Sequence, residues 1–217
     1  MVMSLLAALS APLICIDPGH PSENGNGTRG KTLTEIRVCW KVSKALEAEL
    51  KHAGYWVVIT KRSEKEKVTN RRRAEIANSN KAALFVRLHC DAGTGSGFAT
   101  YYPDRAGKVG RVSGPAKDII AASSKLARAF HAAAIENLGG ALRDAGLHAD
   151  TATLIGGKQG ALTGSIYAKV PVVLVEMAVL QNPKDEAFFL APSGYKAMAK
   201  ALAAGVRSAV PLQPIGK

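Results

Sequence analysis

No stretch of the chain reaches the roughly 18–20 consecutive apolar residues that a membrane span requires, so nothing in it reads as a transmembrane helix. Cysteine is scarce. Cys15, Cys39 and Cys90 cannot all pair with one another and none stands in CxxC spacing, which argues against a disulfide framework and against a cysteine zinc cluster. Glycine (21) and proline (10) are too few and too irregular for a fibrous or low-complexity chain. Negative charge is also in short supply: 17 acidic residues face 29 lysines and arginines, leaving +12. That excess favours a polyanionic partner. Between Lys61 and Lys81 there are eight basic and three acidic residues but no Phe, Tyr or Trp, so the basic stretch lacks the aromatic platforms on which bases stack. Arg71, Arg72 and Arg73 read as a solvated helix face.

What remains is the composition of an ordinary soluble globular protein, 47% hydrophobic and 21% charged. A folded chain of 217 residues buries about 70% of the surface its unfolded form exposes and needs no disulfide staples. Residues 1–12 are apolar and small, without the Lys or Arg that begins a secretory signal; they read as an N-terminal extension or a degenerate signal remnant. Residues 13–217 read as one domain, with neither linker nor internal repeat.

Strand and helix signals alternate along that domain. Leu13–Ile16 is a short apolar run ending in the turn Asp17-Pro18-Gly19, and Gly25, Gly27 and Gly30 mark a loop. A helix starts at Thr32 or Thr34 and runs to about Ala53, before Gly54. Then follow a strand over 55–60, a helix over 69–80, a strand over 82–89, a short strand over 97–102 expected as one arm of a hairpin, and a helix over 115–138 closed by Gly139-Gly140. Residues 149–169 read as a Gly-rich stretch with a weak strand near Thr153. The most apolar strand covers 170–178 and a last amphipathic helix 192–210. This order predicts an α/β fold: a single, mainly parallel twisted sheet with helices on both faces.

Four residues stand where such a sheet builds sites, outside the carboxyl ends of its strands. His20 follows the first strand, His89 ends the third and Glu176 ends the strongest. Glu35 lies in the first turn of the first helix, at the head of the stripe 35, 39, 42, 46, 50 that faces the sheet. A carboxylate there is costly unless paired or bound to a cation. Two imidazoles and a carboxylate are one of the ligand sets of a catalytic zinc. Singly, each residue has a plainer reading: a hydrogen-bonded strand-end histidine, a glutamate at a helix start, a Glu176–Arg87 pair. Gly156–Gly160 is either a substrate loop at the crevice rim or an ordinary connection. Cys90 and Cys39 read as packed residues, while His52, His131 and His148 have no evident partner, His131 reading as surface or half-buried.

In five segments the chain resembles the type 3 zinc-dependent N-acetylmuramoyl-L-alanine amidases: Ile16–His20, Glu35, Arg73–Asn78 (RAEIAN), Leu84–Ala92 (LFVRLHCDA) and Val173–Asn182 (VLVEMAVLQN), with Glu186 following. The resemblance runs from about Leu13 to Val210. It implies one Zn2+ per chain held by His20, Glu35 and His89, with Glu176 as the catalytic glutamate. It also implies a peptidoglycan substrate, cut at the amide between the lactyl group of N-acetylmuramic acid and L-alanine, and action at the cell envelope. The chain departs from the family pattern at Ile36, Asp91, Arg87 and the Met-Ala-Val-Leu run after Glu176. No helix is expected to plug the site between His89 and Glu176. Two rival readings are another zinc peptidase or deacetylase, and a non-catalytic protein that binds polyanions; specific nucleic-acid binding is not expected.

Overall fold

The computed structural model describes residues 11–213; the expectation for residues 1–12 falls almost wholly outside them. Six strands form the main sheet in the order β2-β1-β3-β8-β4-β7. They are β1 (Leu13–Pro18), β2 (Trp56–Ile59), β3 (Leu84–Asp91), β4 (Phe98–Tyr102), β7 (Asp144–Ala149) and β8 (Val172–Val179). Strands β2, β1, β3 and β8 run parallel; β4 pairs antiparallel with β8 and parallel with β7. The mainly parallel sheet expected from the strand–helix alternation is present. Strand β4 corrects one detail: it is an interior strand rather than a hairpin arm. The hairpin is the separate pair β5 (Gly107–Val109) and β6 (Val112–Gly114).

Among the described residues, seven α-helices and a 3-10 turn (Asp150–Ala152) complete the fold: α1 (Glu35–His52), α2 (Asn70–Ser79), α3 (Lys117–Leu138), α4 (Leu154–Gln159), α5 (Thr163–Tyr167), α6 (Pro183–Leu190) and α7 (Gly194–Ala209). The short helices α4 and α5 replace the weak strand read near Thr153. Strand alternation divides the core into two unequal parts. Ile14, Ile16, Val86, Leu88, Val173, Val175 and Met177 point to the face covered by α1, α3 and α7, where the large core lies. The stripe of α1 (Cys39, Val42, Leu46, Leu50) is fully buried there. Leu46→Ala would cost about 2–5 kcal/mol through the cavity it leaves.

The opposite face is apolar only near the strand beginnings, where Cys15, Phe85 and Val172 pack with Ala74 and Ala77 of α2. Two residues further along each strand, that same face carries Asp17, Arg87 and Leu174, paired in one row by the sheet register. Next along come His89 and Glu176, directly opposite one another. The small core therefore gives way to polar groups at the carboxyl ends, and a crevice opens there.

Candidate metal centre

The chain reverses direction after β1 at His20, which adopts a φ of +48°, a left-handed conformation uncommon outside glycine. The turn is held from several sides. Gly19 donates its N–H to the Leu88 carbonyl, and buried Lys61 donates to the His20 carbonyl. The His20 ring donates from Nδ1 to the Gly25 carbonyl at 3.0 Å, which leaves Nε2 as the free acceptor. That Nε2 lies 3.6 Å from Oε1 of Glu35.

Glu35 is 2% exposed. Its Oε2 accepts the Thr28 N–H at 2.8 Å, and its Oε1 accepts the Cys90 N–H at 3.1 Å and faces Nδ1 of His89 at 2.9 Å. These hydrogen bonds and the two imidazoles outweigh burial and hold its pKa below the usual carboxylate range. One donor atom from each of His20, Glu35 and His89 falls within 4.8 Å of the others. A tetrahedral zinc with ligand bonds of about 2.0–2.1 Å separates its donors by about 3.3 Å, so the observed 3.6 and 2.9 Å fit one ion. The cradle is close-fitting: a Cβ on Gly27 would lie 2.3 Å from Oε2 of Glu35, and one on Gly19 would lie 2.7 Å from Nδ1 of His89.

Two buried polar atoms beside this cluster have no hydrogen-bond partner among the described residues, Nε2 of His89 and Oε2 of Glu176. Burial and the neighbouring Glu35 and Asp91 carboxylates push the pKa of Glu176 well up; Arg87 opposes them. Arg87 is not its ion-pair partner, which corrects the plainer reading of Glu176: Arg87 binds Asp17. His20, His89 and Glu176 line one pocket of about 200 Å³ with Ile155, Leu162, Leu174, Asn70 and Arg87. It adjoins a groove of about 370 Å³ lined by Glu176, Asp91, Tyr101 and residues 152–155. A larger concavity of about 630 Å³ between α2, β6 and α5 holds none of these groups. No helix from residues 100–150 lines the pocket around Glu176; of that range, only the strand residue Tyr101 borders the adjoining groove. The Gly156–Gly160 segment is the body and cap of α4, whose Leu154 and Ile155 expose apolar surface at the rim.

Several residues that position the site drew no role from the sequence. Asp17 is fully buried and accepts from Thr60, Arg73 and Arg87, which hold its pKa far below the ordinary value despite burial. Arg73 is completely buried and donates to Asp17 and to the carbonyls of Val68, Pro18 and Pro21; it is an internal strut, not part of a solvated face. Glu186, in the first turn of α6, accepts the backbone N–H groups of Lys31, Thr32 and Leu33, just ahead of Glu35. The start signal for α6 was legible: Asn182 caps Lys184 N–H and Pro183 stands at the first helical position. His131 is 9% exposed, against expectation, and binds Thr100 and Asp144 on the sheet face opposite Glu176. Cys39 and Cys90 are buried and free, as read.

The family described as N-acetylmuramoyl-L-alanine amidase matches residues 14–208. A sporulation-specific N-acetylmuramoyl-L-alanine amidase of Bacillus subtilis (strain 168) is 34% identical over 96 residues, 42% of this chain but only 36% of that protein's length. Among solved structures, the amidase AmiC2 of Nostoc punctiforme superposes with a TM-score of 0.71 at 22% identity, covering 90% of this chain and 94% of its own. Ami1 of Mycobacterium smegmatis gives 0.73 at 21% identity, covering 92% and 97%. At these identities the structural likeness speaks for the fold.

Proposed function

The chain belongs to the N-acetylmuramoyl-L-alanine amidase family, and on that premise we propose that it hydrolyses the amide between the lactyl group of N-acetylmuramic acid and L-alanine of the peptidoglycan stem peptide. The observation that carries this reading is the convergence of His20, Glu35 and His89 beside the unpartnered carboxylate of Glu176. In this reading the three residues hold one Zn2+ per chain. When bound, zinc polarises a carbonyl and lowers the pKa of a coordinated water from 15.7 to about 7.

The chain's own residues supply the rest. His20 Nδ1 is tied to the Gly25 carbonyl, so Nε2 stays unprotonated and aimed at the site. Glu176 serves as general base: Oε2 takes a proton from the attacking water and passes it to the departing alanine amine. A carboxyl whose pKa is raised by burial and by Glu35 and Asp91 releases and accepts protons nearer neutrality than an exposed one. Leu174, Leu162 and Ile155 form the apolar wall that excludes bulk water. Both histidines must be neutral to ligate, and burial lowers the pKa of His89, which favours its neutral form. The +12 charge supports action at the anionic cell envelope, in the periplasm or outside the cell, with attraction screened over a Debye length of about 10 Å at 0.1 M salt.

Digestion of purified peptidoglycan, with and without chelator, tests the reading. Mass analysis should find stem peptides with new L-alanine amino termini, no new reducing sugar ends, and no cleavage in chelator. Peptide-bond products within the stem would point to a peptidase, and acetate release to a deacetylase.

A further inference from the structure

We propose that Arg87 is an anion-recognising wall of this crevice and selects stem peptides with a free carboxylate close to the scissile amide. The proposal rests on the amidase reading and names a substrate feature within it. Two guanidinium groups, Arg73 and Arg87, share the single carboxylate of Asp17 as their direct ion-pair partner, while the buried carboxyls of Glu176 and Asp150 feel the Arg87 charge without bonding to it. Lys61, 3% exposed, lies close enough to both Asp17 and Arg73 to feel their charges.

The two arginines are used differently. Arg73 spends Nε, Nη1 and Nη2 on Asp17 and on three backbone carbonyls. Arg87 is 3% exposed, yet it donates only from Nε to Asp17 and from Nη2 to Asn70. Its Nη1 has no acceptor among the described residues. Asn70 is itself fixed, since its amide and backbone N–H both donate to Glu23, so its carbonyl oxygen is held toward Arg87. The guanidinium is thus immobilised with one donor edge unused, and it lines the same pocket as His20, His89 and Glu176.

A buried guanidinium edge without an acceptor is costly, and an anionic ligand on Nη1 would remove that cost. Spacing sets where the anion sits. Arg87 and His89 are two residues apart on one strand face, about 7 Å, which is the reach of one to two residues of an extended peptide. The fitting group is therefore a carboxylate on the residue after L-alanine, and amidation of that carboxylate would remove the charge Arg87 recognises.

The test uses the zinc-loaded Glu176→Gln chain, which binds without turnover. Its ligands are two synthetic muramoyl peptides that differ only in a free α-carboxylate or an α-amide on the residue after L-alanine. Calorimetry should show the carboxylate peptide binding about tenfold or more tightly, the range of one charge-assisted hydrogen bond. Adding Arg87→Gln should bring the two peptides within about twofold. Gly164→Ala tests the same point with every charge retained, because its Cβ would lie 2.3 Å from Nη1, 2.5 Å from Cζ and 2.9 Å from Nε of Arg87 and so displace the guanidinium; it should cut the preference about threefold. If Arg87→Gln does not fold, Gly164→Ala decides. Equal binding of the two peptides, or a preference untouched by these substitutions, overturns the proposal. Selective binding by a chain whose unsubstituted form cuts no muramoyl amide would sink the amidase reading and leave the anion site standing.

Discussion

Two clusters in this molecule join histidine to a carboxylate, and they differ in what is left over. At the carboxyl ends of β1, β3 and β8, His20 and His89 meet Glu35 beside Glu176, and two buried polar atoms have no partner. Where β4 and β7 pair at the sheet's edge, His131 of α3 bonds Thr100 of β4 through Nδ1 and Asp144 of β7 through Nε2, each at 3.1 Å. Every ring nitrogen of the second cluster is satisfied, and Thr100 is fully buried. The same residue types make a candidate metal centre in one place and a brace between three elements in the other. Convergence alone does not separate them; unspent bonding capacity facing an open crevice does.

The largest effect that would sharpen this contrast is on metal content. His20→Ala, Glu35→Gln or His89→Ala should each abolish stoichiometric zinc binding and with it all measurable amidase activity. Elemental analysis after dialysis reads the first, peptidoglycan digestion the second. Full zinc occupancy in His89→Ala would break the assignment. Next comes Glu176→Gln, expected to keep zinc and lose about 10²–10⁴-fold in turnover, the usual worth of a general base.

Glu186→Gln reaches the centre through the loop ahead of Glu35. Three backbone N–H groups hold the carboxyl of Glu186 below its ordinary pKa. Its contribution is therefore present above the unfolded value of about 4.3 and lost as the pH falls below that. The substitution should weaken zinc affinity about tenfold, lower the melting temperature at pH 7 and flatten the acid limb of the stability curve below about pH 4. An unchanged zinc affinity would mean that the 31–33 loop does not position Glu35. Thr100→Val then tests the brace: it strips the partner from Nδ1 of His131 at almost constant volume. It should cost about 1–3 kcal/mol of stability and leave zinc content untouched. Lost zinc there would mean the two clusters are coupled.

Much of this contrast was legible before any coordinates, because strand ends and helix starts are marked by short apolar runs and turn residues. That placed His20, His89, Glu176 and Glu35 at one end of a parallel sheet, where the structure brings them together. What stayed hidden were charge partnerships across long sequence gaps. Nothing local distinguishes Arg73 from Arg71 and Arg72, yet one is completely buried against Asp17 and the others lie exposed. His131 likewise acquires Thr100 and Asp144 only when β4 and β7 pair. Strand β7 itself (DAGLHA) lacks both alternation and β-branched residues, so its pairing with β4 supplies the order its sequence does not.

A third buried carboxylate puts the criterion under its severest test, though the expected effect is the smallest. Asp150 also has an unpartnered oxygen, Oδ1, but it is fully buried and lines neither pocket of the crevice. Burial raises its pKa to about 6, while the Ser165 side chain and the Leu162 N–H on Oδ2 work the other way. The folded state thus holds a proton that the unfolded chain releases near pH 3.9. This contribution to stability is complete below about pH 4 and declines as the pH rises to about 6, opposite in sign to that of Glu186. Here the vacant oxygen is a cost rather than a tool. Asp150→Asn retains an acceptor for Leu162 and removes the ionisation, so at pH 7 it should raise stability by about 1 kcal/mol, or about 2–4 °C in Tm for a chain this size. The decline between pH 4 and 6 should disappear, with amidase activity unchanged. If Asp150→Asn instead loses activity as Glu176→Gln does, an unpartnered oxygen marks function even away from the crevice, and access to the crevice is not what separates these groups.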